Sequence, residues 1–471
     1  MLHSRQFFGT LTIGLTLLLG LGACGSSGDQ NSGGSLPNSP QGMQQVNLEV
    51  PGGMGDAKVS ASRRLTVPSG FSIQVVARVA GARFMAVAPN GDVLVSQPGA
   101  GTIVRLVVKP GQAAQQNVFV SGLVMPHDMV FATVAGTTYL YVAVHDKVVR
   151  YAYTNGMIQA SAAQTVVEGL PTGSSEDLRG SYAHYLKNIV ISPDGSKLYV
   201  SVASETNADP KIDRPAMEGG SGVERGAIYE FNAAALGQKI AANAQPYARG
   251  VRNAEGLAFA PNSNDLWIAV MNRDDVRCPK GIDCTGDGKP DDGALIQSYV
   301  DKNPPDLIVK VKPGADYGWP YCNADPRAGV NNMPYLNDFE NNADGKKFNC
   351  ATAERATKGL GAHEAPLGLT FWRNGPAEFR NVMTVGLHGC WNCSTYVGYK
   401  VSYFPVNGGT IGAQRDLVTG WVTDTMNPGR KNCSEVQDKC WGRPVDMADM
   451  PDGSLLISDD YTGTIYRLYK K

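Results

Sequence analysis

The sequence predicts an all-β protein, a six-bladed β-propeller. Three observations lead there: one apolar strand–turn–strand unit recurs six times, its turns are built on Pro, Asn, Asp and Gly, and helical periodicity is nearly absent. In chain order the copies are "FMAVAPNGDVLVSQPGAGTIVRL" from Phe84, "HDMVFATVAGTTYLYVAVHDKVVRYAY" from His127, "KNIVISPDGSKLYVSVAS" from Lys187 with "GAIYEFN", "EGLAFAPNSNDLWIAVM" from Glu255 with "DLIVKV", "LGLTFWRNGPAEFRNVMTVGLHG" from Leu367 with "YKVSYFPV", and "VDMADMPDGSLLISDDYTGTIYRLYK" from Val445. Each is a hairpin followed by a third strand, with Val, Ile, Leu and Tyr placed as strands require. Repeated small sheets around an axis make a propeller, and six copies make six blades. The strand "FSIQVVARV", Phe71 to Val79, is expected to complete the last blade and protect its edge. The spacing between copies widens toward the fifth, so long loops leave one face, where function is usually carried.

The opening residues, "MLHSRQFFGTLTIGLTLLLGLGAC", read as a secretion signal over 1–23. Leu21-Gly22-Ala23-Cys24 has the form of a bacterial lipoprotein box, with cleavage before Cys24 and lipid on its sulfur. The alternative is an ordinary signal peptide without lipid. Residues 24–63, rich in Gly, Ser, Asn and Pro, are expected to be a disordered tether, and 64–471 the propeller. The expected location is therefore exported, lipid-anchored to the cell or outer membrane, and facing the periplasm or the outside.

A formal net charge of -1, without a basic patch, excludes a general nucleic-acid binder. Of nine cysteines, Cys24 aside, eight fall in the second half, and export favours disulfides. Short loops favour Cys278 with Cys284 and Cys433 with Cys440. Cys390-Trp-Asn-Cys393 reads as a disulfide, with a metal site as the rival.

The phrases "HYLKNIVISPDGSKLYVSVAS", "GVRNAEGLAFAPNSNDLWIAV", "DYGWPYC", "GAHEAPLGLTFW", "GLHGCWN" with "GYKV", and "GRPVDMADMPDGSLLISDD" occur in this order between His184 and Asp460, and the likeness they carry spans about Arg64 to Lys471. Together they resemble the pyrroloquinoline-quinone (PQQ)-dependent sugar dehydrogenases of the soluble quinoprotein glucose dehydrogenase type, and within them the sorbosone dehydrogenase branch. The resemblance implies PQQ and Ca²⁺ as cofactors and His184 as the base that removes the hydroxyl proton while hydride passes to the quinone. Imidazole is neutral and proton-accepting near pH 7, as that role requires. It further implies Arg252 and Asn253 as cofactor contacts, a planar permanent cation suiting carboxylates and growing negative charge. By the same resemblance Arg443 corresponds to an arginine that closes the cofactor pocket, and His388 stands at a cofactor-binding position where glucose-oxidising members carry a lysine.

Three positions depart from the glucose-oxidising pattern. Val445 replaces a second arginine, His388 replaces the lysine, and Ser204, followed by Glu205, replaces the acidic residue that orients the base. Lys187 follows His184 by three residues and faces either the same pocket or solvent. His127 and His363 hold equivalent strand-start positions and are expected at the channel rim.

For Ca²⁺ two places compete. The resemblance implies backbone carbonyls near Asn272 and Arg273. Separately, "CPKGIDCTGDGKPDDG" gathers Asp283, Asp287, Asp291 and Asp292, hard oxygen ligands on a tight loop. A solvated acidic turn pinned by Cys278 and Cys284 is the other reading.

The leading functional expectation is oxidation of a sugar or sugar-derived aldehyde, aldose or sorbosone type. "CWNCS" carries Ser394 where a c-type haem motif needs His, so electrons must leave to a separate, membrane-associated acceptor. The alternative is a non-catalytic glycan- or protein-binding propeller, favoured by Val445 and His388. A metal-dependent lactonase needs acidic side chains converging on the channel, where this sequence places His and Arg. Fold alone does not separate the three.

Overall fold

A computed structural model describes residues 42–178, 182–427, 429–436 and 439–471. Six antiparallel sheets follow one another along the chain, each with its first strand innermost. Those innermost strands are Met85–Val87, Met129–Val134, Ile189–Ile191, Asn253–Phe259, Pro366–Trp372 and Pro444–Asp449. The second blade gains a fifth strand, Gln238–Lys239, lying parallel to Gln164–Glu168. The expected closure is present: Phe71–Arg78 is the outer strand of the sixth blade, with Phe71 opposite Lys470 and Arg78 opposite Thr464. Among the described residues no helix is long and apolar enough to cross a membrane.

The sequence places residues 42–63 in a disordered tether; the structure builds them into the fold. Residues 42–63 are ordered: Met43–Asn47 pairs with Arg64–Pro68, and Leu48 and Val59 are buried in the core of the fifth and sixth blades. Val46, Val50 and Met54 pack against the same core, enough apolar surface to offset the ordering of a segment otherwise rich in Gly and Ser. Cys24 and the signal segment lie outside the described residues.

Strand register puts the six innermost strands at matching levels. Met85, Met129, Ile189, Leu257, Leu369 and Met447 face Val95, Val142, Val200, Ile268, Val385 and Ile457 of the second strands. One residue back stand Phe84, Asp128, Asn188, Gly256, Gly368 and Asp446, and one further back Arg83, His127, Lys187, Glu255, Leu367 and Val445. The middle level stitches blade to blade. Asp128 accepts the Ile189 amide at 2.9 Å and Asp446 accepts the Met85 amide at 2.9 Å, each from the following blade.

In the fourth and fifth blades the backbones themselves approach, and glycine is required. A Cβ on Gly368 would lie 2.3 Å from Asp446 Oδ1 and 2.6 Å from its Cα. Gly368→Ala is therefore expected to lower stability by roughly 1–3 kcal/mol, the usual cost of forcing atoms into a packed interior, measured as a fall in thermal midpoint. An unchanged midpoint would show that the seam yields without cost.

All eight described cysteines are paired: Cys278–Cys284, Cys322–Cys350, Cys390–Cys393 and Cys433–Cys440. The two local pairs and the disulfide reading of Cys390-Trp-Asn-Cys393 hold.

Candidate active site

Two cavities occupy the ends of the central channel. One, about 740 Å³, lies on the face carrying the long loops and is walled by the segment around His184, the loop after the fourth blade's second strand, the Cys390–Cys393 loop and residues 429–435. It brings together His184, Arg252, Asn272, His388 and Arg443. His363 lines the same wall, as expected, with Nε2 against the carbonyls of Val300 and Asn303 at 2.8 and 3.1 Å. His127 sits lower, in the channel floor, its ring 4.4 Å from that of Phe84.

His184 is held on one side only. Its Nδ1 lies 3.0 Å from the Ser204 carbonyl and 2.9 Å from Ser204 Oγ. A carbonyl can only accept, so Nδ1 carries the hydrogen and Nε2 keeps its lone pair. Burial, aided by the nearby Arg252 cation, holds the ring well below the usual histidine range, hence neutral. Ser204 thus anchors the imidazole, while Glu205 turns away to Arg225 at 2.5 Å. The Ser204 amide in turn donates to the Arg252 carbonyl at 2.9 Å, fixing His184 beside Arg252 across two blades.

Arg252 is buried, its fork engaged by the carbonyl of Asn272 at 2.7 Å, the carbonyl and side chain of Asn207 at 3.1 and 3.0 Å, and Asp274 at 3.4 Å. Asn253 reaches the site through others. Its amide donates to Glu255 at 3.1 Å, Glu255 pairs with Arg83 at 3.3 Å, and Arg83 pairs with Asp460 at 2.8 Å. Asp460 then accepts from His388 Nε2 at 2.9 Å, and His388 Nδ1 accepts from Arg443 at 2.9 Å. Six polar residues make one chain along the wall.

This chain revises the reading of His388. Both ring nitrogens are committed within the wall, and burial with the Arg443 cation pushes it down to about 4. It is a neutral link that orients Arg443 and Asp460, not a free donor replacing a lysine. Arg83 and Asp460 were not singled out from sequence, yet both line the cavity, and Arg83 Nε is buried without a partner. Aligning the turns of the six copies was the available signal, since it puts Arg83 level with Lys187 and Glu255. Lys187 does not line the cavity; it is buried, donates to the Tyr185 carbonyl at 2.8 Å, and burial pushes its amine down to about 7.

The metal expectations divide. Asn272 lines the cavity, and the Arg273 side chain pairs with Asp338 and Glu340, both at 2.5 Å, which leaves the expectation of a backbone carbonyl at that residue as it stands. Asp283, Asp287 and Asp291 do not assemble a cation site. Asp283 accepts the amides of Gly286 and Gly288, Asp291 those of Cys284 and Thr285, and Asp287 that of Lys289, so at least one oxygen of each carboxylate holds the loop's own turn. Among the described residues no three His, Cys, Asp or Glu side chains stand close enough to hold a metal ion. Oxygen donors do meet on the active-cavity wall, however. There Asn272, Asp274 and Asn392 line one cavity, Asn392 donates to Asp274 at 3.3 Å, and its Oδ1 is buried without a partner.

Among solved structures, the holo PQQ domain of pyranose dehydrogenase from Coprinopsis cinerea is similar over 90% of this chain and all of that one, with a TM-score of 0.68 and 19% identity. A carbohydrate-active enzyme of family AA12 from Trichoderma reesei follows with a TM-score of 0.65 and 19% identity, over 86% of this chain and 97% of that one. The PQQ-bound aldose sugar dehydrogenase of Streptomyces coelicolor reaches 0.52 at 16% identity, over 85% and 99%. These likenesses establish the fold. A Borreliella burgdorferi protein described only as uncharacterized is 28% identical over 306 residues, 64% of this chain; the chain thus spans 62% of that relative's length. A family model described as TrAA12-like matches residues 65–471, the whole propeller, and the chain belongs to the TrAA12-like family.

Proposed function

We propose that the protein is a PQQ-dependent dehydrogenase that oxidises a sugar or sugar-derived aldehyde, of aldose or sorbosone type. The observation that carries this reading is His184: a buried, neutral imidazole, anchored through Nδ1, with its basic Nε2 left for the active cavity. The similarity to PQQ-containing sugar dehydrogenases supports it.

The cavity suits a flat polyanionic quinone. Arg83, Arg252 and Arg443 converge on it, Arg83 has an unused N–H, and Tyr182 and Trp391 bring aromatic side chains to the wall. Arg83, Arg252 and Arg443 would hold the carboxylates, and the Asn272 carbonyl, Asp274 and Asn392 would hold a Ca²⁺ beside them. When bound, the quinone supplies the hydride acceptor. His184 Nε2 takes the substrate hydroxyl proton, Ser204 holds the ring in the tautomer that allows this, and the neighbouring Arg252 offsets developing negative charge. Lipid on Cys24, export and delivery of electrons to a separate membrane acceptor complete the proposal; the Leu-Gly-Ala-Cys segment supports the first of these.

The test is a titration of the metal-stripped mature chain with PQQ, with and without Ca²⁺, followed by dye reduction on aldoses and sorbosone. Saturable, Ca²⁺-dependent binding and turnover are expected. Absence of binding at micromolar quinone in both conditions would leave a binding propeller instead. A pH profile adds a second check. His184 works as the neutral base, and its pKa is lowered, so kcat/KM stays level as pH falls toward about 6.5 and declines only below. An acid limb centred above that value assigns the base elsewhere.

A further inference from the structure

The second cavity, about 970 Å³, opens on the opposite face, where the turns of the blades lie. Its inner end is formed by the two lower levels of the innermost strands, Phe84, Asp128 and Asp446 among them, while Arg83, Glu255 and Leu367 of the next level line the active cavity. The partition between the cavities is thus a step from one strand residue to the next, a rise of about 3.3 Å. Three carboxyl groups sit in it, Glu255 on one side and Asp128 and Asp446 on the other, and the oxidation proposed above uses none of them.

We propose that this partition conducts protons from Glu255, at the floor of the active cavity, across Asp128 and Asp446 to the second cavity and the opposite face. The inference rests on the oxidation reading. Converting R–CH(OH)–R′ to the carbonyl removes two electrons and two protons. An acceptor that takes electrons alone, such as a haem protein or an iron complex, leaves both protons to be released, and it must approach at the active mouth.

Two further groups at the partition point the same way. His127 Nδ1 faces the Lys187 carbonyl at 3.4 Å, so its Nε2 carries a lone pair, and that atom is buried with no partner. Asn188 Oδ1 is likewise a buried acceptor without a donor, while its Nδ2 donates to Asp128 at 3.4 Å. Orphaned acceptors in a polar channel are where water, the usual relay, is held. Burial raises all three acids, Asp128 to about 7, which suits groups that exchange protons near neutrality. Asp128 feels Glu255, Asp446 feels Asp128 and Arg83, and Glu255 feels Arg83 and Asp460, so the three are electrostatically linked.

Two measurements test this, both on the mature chain. In the cofactor-free protein, the infrared stretch of the protonated carboxyls should exchange rapidly in D₂O. A bulky thiol label on Asn264→Cys, in a Cys24→Ser background, closes the far mouth without touching the partition, and the Asp128 and Asp446 carboxyls, which line that cavity, should still exchange through Glu255 and the active cavity. Loss of their exchange behind the closed mouth overturns the proposal. During turnover, Asp128→Asn and Asp446→Asn, which keep an acceptor for the neighbouring amide, should slow ferricyanide reduction several-fold. The rate with a quinone dye that accepts protons with its electrons should stay the same, and so should PQQ affinity. Equal effects on both acceptors, or none on either, overturn it as well. If no acceptor supports turnover, the oxidation reading fails, and the infrared exchange alone decides whether the partition conducts.

Discussion

Replacing His184 with alanine is expected to lower kcat by roughly 10²–10⁴-fold, the usual contribution of a positioned general base, while leaving PQQ affinity unchanged. The separation follows from the geometry. His184 meets the cavity only through Nε2, while the cofactor-directed cations, Arg83, Arg252 and Arg443, are anchored by Asp460, the Asn207–Asn272 carbonyls and His388. Removing the imidazole leaves those anchors in place. Ser204→Ala gives the contrast: it deletes Oγ but keeps the carbonyl that fixes the Nδ1–H tautomer, so a far smaller loss is expected. Steady-state kinetics beside a quinone titration decide the matter. A His184→Ala protein that keeps near-full turnover would place the base elsewhere, and one that loses quinone binding would make His184 a pocket residue.

Arg214→Ala is expected to cost about 3–5 kcal/mol of stability, read from the denaturation midpoint, because it strands buried charge. The Arg214 side chain is 0% exposed, with Glu224 at 2.7 Å and Asp316 at 2.6 Å, and it also donates to the Trp319 carbonyl at 3.2 Å. Glu224 keeps a second partner, Arg249 at 3.0 Å, but Asp316 loses its guanidinium altogether. Arg214 closes the short helix Pro210–Asp213, whose Asp213 accepts the amides of Glu205 at 2.5 Å and Thr206 at 3.1 Å, next to Ser204. Loosening it therefore reaches the residue that orients His184, and activity should fall before unfolding. Lysine cannot restore the two-sided pairing of a planar fork. A variant as stable as the parent would show that water can reach and solvate the freed carboxylates.

The repeats disclosed the blades because alternation and turn chemistry are local properties of a strand. The ring closure through Phe71–Arg78 and the short disulfides followed from equally simple needs, a covered edge and an easily closed loop. His184, Arg252 and Arg443 were found through neighbouring residues in short phrases. What escaped were relations across the ring. Arg83 meets Asp460 over 377 positions, and no local pattern announces such a pair. His388 was visible as a residue but not as a link, since its role depends on Arg443 and Asp460 arriving from another blade. The Asp283–Asp291 loop looked like a cation loop because composition cannot tell oxygens aimed outward from oxygens satisfied by their own turn. Residues 42–63 resembled a tether because the few apolar side chains that pin them, Leu48 and Val59 above all, are diluted among glycine and serine.

The pairing of Phe71–Arg78 with Thr464–Lys470 also fixes a moment in the life of the chain. Phe71–Arg78 emerges from the ribosome long before its partner exists and must wait for it through five blades of synthesis. Ring closure must then wait until residues 464–470 have been made, and contacts so distant in sequence form slowly. A message truncated before the final strands yields a molecule with an open edge at Phe71–Arg78, the kind of surface that proteases and chaperones detect. The seam thus ties the folding of the sixth blade to the order in which its strands are made.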